Sequence, residues 1–351
     1  MKDTIDTQKK NMKTGWITGW LPTMSGVFPV ISTHLATKDI LGGWRVRWGI
    51  NRMNYIIHPG LYAAGKPDAS SPVLVTANYK LTFDSLRKHL AGINTWVLVL
   101  DTKGVNVWCS AGKGTFGTEE LIGRIQSVNL ATLVKHRTVI LPQLAAPGVA
   151  AHTVTARTGF KVIYGPVRAA DLPKFLAKGL KADPGMRLVT FPFKERIAVI
   201  PVELVMSWKI ALGALVLHLL SRLIAGGNIL SWSTITEFLP YIGSILVGAA
   251  MIPALLPFIP GRSFAVKGWL LGTAAVLIFN WLNGEQTISA HAARLLILPA
   301  ISAFLALNFT GCTTYTSLSG VKKEMRIALP LLIASASSGI VLQLYSVWRI
   351  Q

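Results

Sequence analysis

From about Ile200 onward the chain is a succession of long apolar runs, and no other feature limits its possible folds more. A hydrocarbon core of ~30 Å takes about 20 apolar residues in helical form. Five segments approach that length with almost no charge: 205–221, 238–259, 268–282, 295–307 and 327–347. Buried core helices are the alternative reading, but five such runs in succession argue for spans. The loop cations give an orientation. Arg262 and Lys267 fall between the second and third runs, and Lys322, Lys323 and Arg326 between the fourth and fifth. The opposite side carries only Arg222, Arg294 and Arg349. Under the positive-inside rule this places the N-terminal half in the cytoplasm and Gln351 outside.

Residues 1–200 differ in character. They mix charged, polar and apolar residues and hold most of the excess charge of a chain whose formal net charge is +20. The cations (Lys9, Lys10, Arg45, Arg47, Arg52, Lys80, Arg87, Lys88, Arg168, Lys174, Lys178, Lys181) are scattered and form no nucleic-acid motif. A domain held against an anionic inner leaflet explains them more simply, so membrane lipid and not nucleic acid is the expected partner. The opening MKDTIDTQKKNMK has no apolar stretch behind it, so no secretory signal is expected. The two cysteines, Cys109 and Cys312, are too few for a disulfide scaffold, a four-cysteine zinc site or a cysteine-ligated iron–sulfur cluster in this chain.

Within this half, strand-like runs at 73–76, 95–101, 138–141 and 160–164 alternate with helix-like runs at 82–90, 118–128 and 171–180. Thr118 is the expected N-cap of the middle helix, with Glu119 and Glu120 in its first turn. Such alternation predicts a Rossmann-like α/β domain with a mostly parallel sheet. The expected organisation is therefore an α/β domain over 1–200 and a five-helix transmembrane domain over 201–351. Ligands of such sheets bind beyond the carboxyl ends of the strands. The segment 101–117 follows a central strand and precedes a helix, so it is the expected site loop. Asn78, just past another strand end, is a weaker contact candidate.

The loop contains Asn106-Val107-Trp108-Cys109-Ser110-Ala111-Gly112-Lys113, followed by Gly114 and Gly117. Its glycines and Ala111 allow a large flat ligand to approach the backbone. Lys113 and the N–H groups of a helix start make the surroundings electropositive, as a reactive cysteine requires. Cys109 is then a nucleophile or a metal ligand, and the competing reading is a small buried hydrophobe. A Walker phosphate loop fails, because Val107 stands where that pattern needs glycine and Gly114 where it needs Ser or Thr.

The run Asn106 to Lys113 resembles the signature of the corrinoid protein of the mercury-methylating pair, with Ser110 where that family has alanine. Val46 to Met53, Pro59 to Tyr62, Thr76 to Lys80, Gly114 to Leu121 and Thr313 to Lys322 resemble further segments of it. The first half is also similar to the corrinoid domain of the acetyl-CoA-pathway corrinoid iron–sulfur protein. The resemblance implies a cobalamin-type corrinoid with the Cys109 sulfur as the lower ligand of cobalt, and Asn106, Val107, Trp108, Ser110, Ala111, Gly112 and Lys113 around it. It implies a corrinoid-dependent methyltransferase of the anaerobic, one-carbon kind that passes a cobalt-bound methyl group to mercury(II), forming methylmercury. It further implies a ferredoxin-like electron donor with two four-iron clusters, and a methyl group delivered by a methyltetrahydrofolate methyltransferase. The implied location is the cytoplasmic (inner) membrane, multi-pass. A different methyl acceptor on the same scaffold is the alternative. A transport or docking protein is a third reading, and its signature is charge inside the spans; from the sequence only Lys209 qualifies. Cys312 is a candidate to pass metal onward or a small packing residue.

Overall fold

The computed structural model describes residues 15–282, 287–309 and 318–348. They divide into two compact units. The first runs to Val189 apart from Arg47–Gly49, and the second comprises those three residues and the chain from Thr190 onward.

The first unit contains β1 (Ile17–Thr23), β2 (Gly26–Ile31), α1 (Thr37–Arg47, its last residue grouped with the second unit), β3 (Gly60–Ala64), β4 (Val73–Ala77), α2 (Lys80–Arg87), β5 (Thr95–Leu100), α3 (Val107–Lys113), α4 (Thr118–Ser127), α5 (Leu130–Leu133), β6 (Thr138–Leu141), α6 (Ala151–Thr158), β7 (Lys161–Tyr164) and α7 (Leu172–Ala177). The sheet order is β1-β2-β3-β5-β4-β6-β7. Strands β4 to β7 are parallel, whereas β3 runs antiparallel to β5, and β1 and β2 form an antiparallel hairpin. The α/β architecture is therefore mixed, mostly parallel. Three strands, β1, β2 and β3, have no counterpart in the sequence reading, because Gly19 and Pro29 interrupt β1 and β2, and β3 is a five-residue run that opens on Gly60 and ends in two alanines.

Both faces of the sheet are covered, which is why β4 and β5 read as unbroken apolar runs. Along β5, Trp96, Leu98 and Leu100 join a core with Val107, Ala111, Leu121, Ile122 and Val154. Val97 and Val99 join the opposite core with Trp16, Phe83, Leu86 and Phe175. From β4 the chain moves to β5 on one side, and from β6 to β7 on the other. The crevice between β4 and β6 is thus the topological switch point, where ligands of open α/β sheets bind.

The second unit contains α8 (Phe193–Ile197), α9 (Ile200–Met206), α10 (Trp208–Ile224), α11 (Trp232–Leu246), a π-helical stretch (Val247–Met251), α12 (Ile252–Leu255), α13 (Phe264–Leu282), α14 (Ile288–Phe309) and α15 (Leu318–Trp348). Among the described residues, four helices are long and apolar enough to cross a membrane: Trp232–Leu255, Phe264–Leu282, Ile288–Phe309 and Ser319–Ser346. A fifth candidate is the pair Phe193–Met206 and Trp208–Ile224, bent by 47°. The bend corrects the expectation of one run over 205–221, and Ser207 marks it by returning its hydroxyl to the Leu204 carbonyl at 2.7 Å. The last three helices start before their hydropathy bounds because their N-terminal ends carry polar residues, whereas the run expected over 238–259 is a helix that starts at Trp232 and ends at Leu255. Lys267, Lys322, Lys323 and Arg326 accordingly lie in helices and not in loops. Lys267 is buried and donates to the carbonyls of Leu256, at 3.0 Å, and Ile259. Arg294 and Glu237 also lie within apolar helices, so Lys209 is not alone in that respect.

Helix α14 packs through small residues. A Cβ placed on Gly268 of α13 would lie 2.6 Å from the Ala303 Cα, and one on Gly339 of α15 would lie 2.9 Å from the Leu296 Cβ. Small residues at these positions let the helix backbones approach this closely.

Candidate functional site

The segment expected to be an open loop contains a helix. Lys103 and Gly104 adopt left-handed conformations (φ 56° and 71°) and turn the chain after β5. Asn106 then N-caps α3, its Oδ1 accepting the Cys109 N–H at 2.9 Å. Gly114, at φ 80°, ends the helix and donates to the Ala111 carbonyl at 3.3 Å.

This short helix sorts the predicted site residues. Val107, Ser110 and Ala111, at i, i+3 and i+4, face the core and are at most 6% exposed. Trp108, Cys109, Gly112 and Lys113 face outward. Cys109 is therefore exposed, and the buried-hydrophobe reading fails for it. Gly112 shares its face and has no atom within 4 Å of where a Cβ would stand, so the surface beside the sulfur is open. The Ser110 hydroxyl donates back into its own helix, to the Asn106 carbonyl at 2.6 Å and the Val107 carbonyl at 3.1 Å. It is 0% exposed and serves the backbone rather than the sulfur.

Asn78 is 3% exposed and holds the loop from beneath. Its Oδ1 accepts from the Thr102 N–H (3.1 Å), the Thr102 hydroxyl (2.9 Å) and the Gly104 N–H (3.0 Å), and its Nδ2 donates to Asp101 (3.2 Å). Glu120 of α4 accepts the Asp101 N–H at 2.8 Å while held by Arg124 at 2.7 Å. Burial pushes the Asp101 carboxyl up, but hydrogen bonds from Lys103 outweigh it and hold the group below the usual carboxylate range. Behind α3, a Cβ on Gly148 would stand 2.9 Å from the Ala111 Cα, so only glycine admits the helix there. Thr102, Gly104 and Gly148 are not singled out by the sequence, and Glu120 is read there only as a first-turn carboxylate of its helix. The only local signal was the turn-forming Lys103-Gly104 pair after a strand. Thr118 is not the N-cap expected of it: Gly117 occupies that position, and the Thr118 hydroxyl accepts the Ala150 N–H at 2.9 Å. Cys312 lies outside the described residues.

Replacing Asn78 with Ala is expected to free the 101–106 turn, because each buried donor left unpaired costs about 1–3 kcal/mol. Amide exchange at Thr102 and Gly104 would then accelerate at least tenfold while the β6 and β7 amides keep their protection. Unchanged exchange at Gly104 would count against this role.

A family model described as CO dehydrogenase/acetyl-CoA synthase delta subunit matches residues 52–176, the stretch that holds this whole arrangement. The acetyl-CoA decarbonylase/synthase complex subunit gamma of Methanopyrus kandleri is 38% identical over 124 residues, which is 35% of this chain and 26% of that protein. The subunits of the same name from Archaeoglobus fulgidus and Methanocaldococcus jannaschii are 33% and 34% identical over 124 and 122 residues. These cover 35% and 34% of this chain and 26% and 25% of the relatives. The chain thus spans about a quarter of the length of these relatives, all subunits of an enzyme complex.

These matches correct the functional expectation. Pro59 to Tyr62, Thr76 to Lys80 and Asn106 to Leu121, which suggested a mercury-methylating corrinoid protein, all lie in the stretch that matches acetyl-CoA complex subunits. They describe a scaffold and do not select an acceptor. Mercury(II) as substrate, methylmercury as product and membership of the mercury-methylating pair are therefore set aside.

Proposed function

We propose that the first unit is a corrinoid-carrying methyl-transfer domain of acetyl-CoA-type one-carbon chemistry, with the Cys109 sulfur as the lower ligand of cobalt. The observation that carries this reading is an exposed cysteine in the first turn of α3, at the carboxyl edge of the sheet, inside the stretch that matches the complex subunits. The residues fit a broad flat ligand: open space over Gly112 and the half-exposed Trp108 indole flank the sulfur. When bound, a corrinoid supplies a cobalt centre that accepts and releases a methyl group. Asn106 fixes the helix start, Asn78 and Glu120 fix the turn that carries it, and Lys113 adds positive charge on the exposed face.

The apolar helices lie outside the matched stretch, so we read this chain as a version anchored in the cytoplasmic membrane, its first unit on the cytoplasmic side. Arg262, Lys322, Lys323 and Arg326 support that orientation. Protein partners are expected, as for the relatives. One of them would be an iron–sulfur electron donor, since this chain has only two cysteines and Cys109 is committed; its net charge of +20 suits an acidic partner.

The test is the anaerobic absorption spectrum of the detergent-solubilised full chain reconstituted with cobalamin, beside Cys109→Ala. A shifted spectrum lost in the variant is expected. Identical spectra would remove Cys109 as the ligand, and a wild-type chain that retains no cobalamin would end the corrinoid reading altogether.

A further inference from the structure

Helix α1 turns its one carboxylate inward. Asp39 accepts the Ala36 N–H at 3.0 Å and pairs with Lys80 and Arg87, each at 2.7 Å, and its side chain is only 11% exposed. Val46 is 1% exposed and Gly43 is buried. Gly42 lies so close to the Tyr55 ring that a Cβ would stand 3.1 Å from its Cζ. The inner face is thus filled and its charge neutralised.

The outer face is unlike an ordinary solvated one. Ile40, Leu41 and Trp44, at i, i+1 and i+4, are 52%, 57% and 59% exposed. The charged side chains beside them are Lys38 and Arg45, both exposed and both cationic. The patch continues past the helix. The Ile50 N–H donates to the Arg45 carbonyl at 3.0 Å, and Ile50 and Met53 are themselves exposed. Large exposed apolar patches mark interaction surfaces. An apolar stripe holding Trp, with a cationic and not an acidic margin, fits the boundary between acyl chains and anionic headgroups.

We propose that α1 is an interfacial helix that seats the first unit on an anionic membrane surface, with Ile40, Leu41 and Trp44 in the headgroup boundary and Lys38 and Arg45 on lipid phosphates. The proposal rests on the reading of the apolar helices as spans, and its test separates the two. In the full chain carrying Cys109→Ala and Cys312→Ser, a spin label is attached through Leu41→Cys. A second preparation carries it through Leu331→Cys on α15, where the side chain is 65% exposed. Collision rates with oxygen and with a water-soluble nickel complex are read in vesicles of phosphatidylglycerol with phosphatidylcholine, in phosphatidylcholine alone, and in detergent.

The expected result is a label at position 41 that favours oxygen and is shielded from nickel in anionic vesicles. Lys38→Glu with Arg45→Glu should raise its nickel collision rate several-fold. A label at 331 in lipid with that at 41 in water under every condition would overturn the docking proposal alone. A label at 331 in water would overturn the spans and the docking together. A label at 41 shielded from both reagents in detergent would mean that protein covers the helix, which also overturns the proposal.

Discussion

Arg87→Met is expected to cost the first unit about 3–5 kcal/mol, the usual penalty for removing one member of a buried ionic cluster. The guanidinium is 0% exposed, pairs with Asp84 and Asp39 at 2.7 Å each, and donates to the Ser32 and His34 carbonyls at 2.7 and 2.8 Å. Lys80 completes the cluster at 2.6–2.7 Å from the same two carboxylates, so the charges balance two against two. Removing Arg87 leaves an excess negative charge with little water to solvate it. Slow amide exchange in β4 and β5 should accelerate by about two to four decades if those strands open only with global unfolding. Adding Asp84→Leu should recover part of the loss, because it restores one cation to one anion. A loss under tenfold in Arg87→Met would show that the cluster adds little.

The same cluster gives the acid dependence. Burial pushes Asp39 up, but hydrogen bonds from Lys80 and Arg87 outweigh it and hold its carboxyl below the usual range. Its contribution is therefore complete above the unfolded value of about 3.9 and is lost as pH falls through the lower folded value. The wild type should lose stability below about pH 4, and Arg87→Met should lose less across that interval.

Gly268→Leu is expected to unfold the packing around α14, at a cost of about 3 kcal/mol or more, above the common range for overpacking. The new Cβ alone would stand 2.6 Å from the Ala303 Cα and 2.7 Å from the Ser302 carbonyl oxygen, which are backbone atoms that cannot rotate away. Gly272→Ala should be milder, since its nearest atoms, among them the Pro299 Cα and the Ser302 Oγ, are at 3.0 Å. Thermal melting of the full chain in detergent should order the three proteins as wild type, Gly272→Ala, Gly268→Leu. Equal melting temperatures for wild type and Gly268→Leu would sink the close-packing account.

The strands β4, β5, β6 and β7 were legible because they are buried on both faces or bounded by turn residues, and their apolar runs have no competing reading. The hairpin β1–β2 and strand β3 were not, because their places in the sheet come from pairing across the chain rather than from local pattern. The apolar helices were legible as elements and not as bounds. Hydropathy averages away the polar residues at their ends, and a window cannot see the 47° bend.

The same division runs through the site. The type of residue and its neighbours in sequence were enough to single out Cys109 and the segment from Asn106 to Lys113. Which of those side chains face outward was decided by the helical phase of α3. That phase depends on the Asn106 cap and on the close approach of Gly148, neither of which follows from spacing alone. Asn78 looked like a ligand contact because it follows a strand, yet tertiary hydrogen bonds make it the support of the turn. By itself the sequence determined an α/β half, an apolar helical half and one cysteine of interest, because composition and periodicity are local properties. Only the tertiary structure decided which faces are buried, which cations are neutralised and which side chains remain free to meet a ligand or a membrane, because those depend on contacts between residues far apart in the chain.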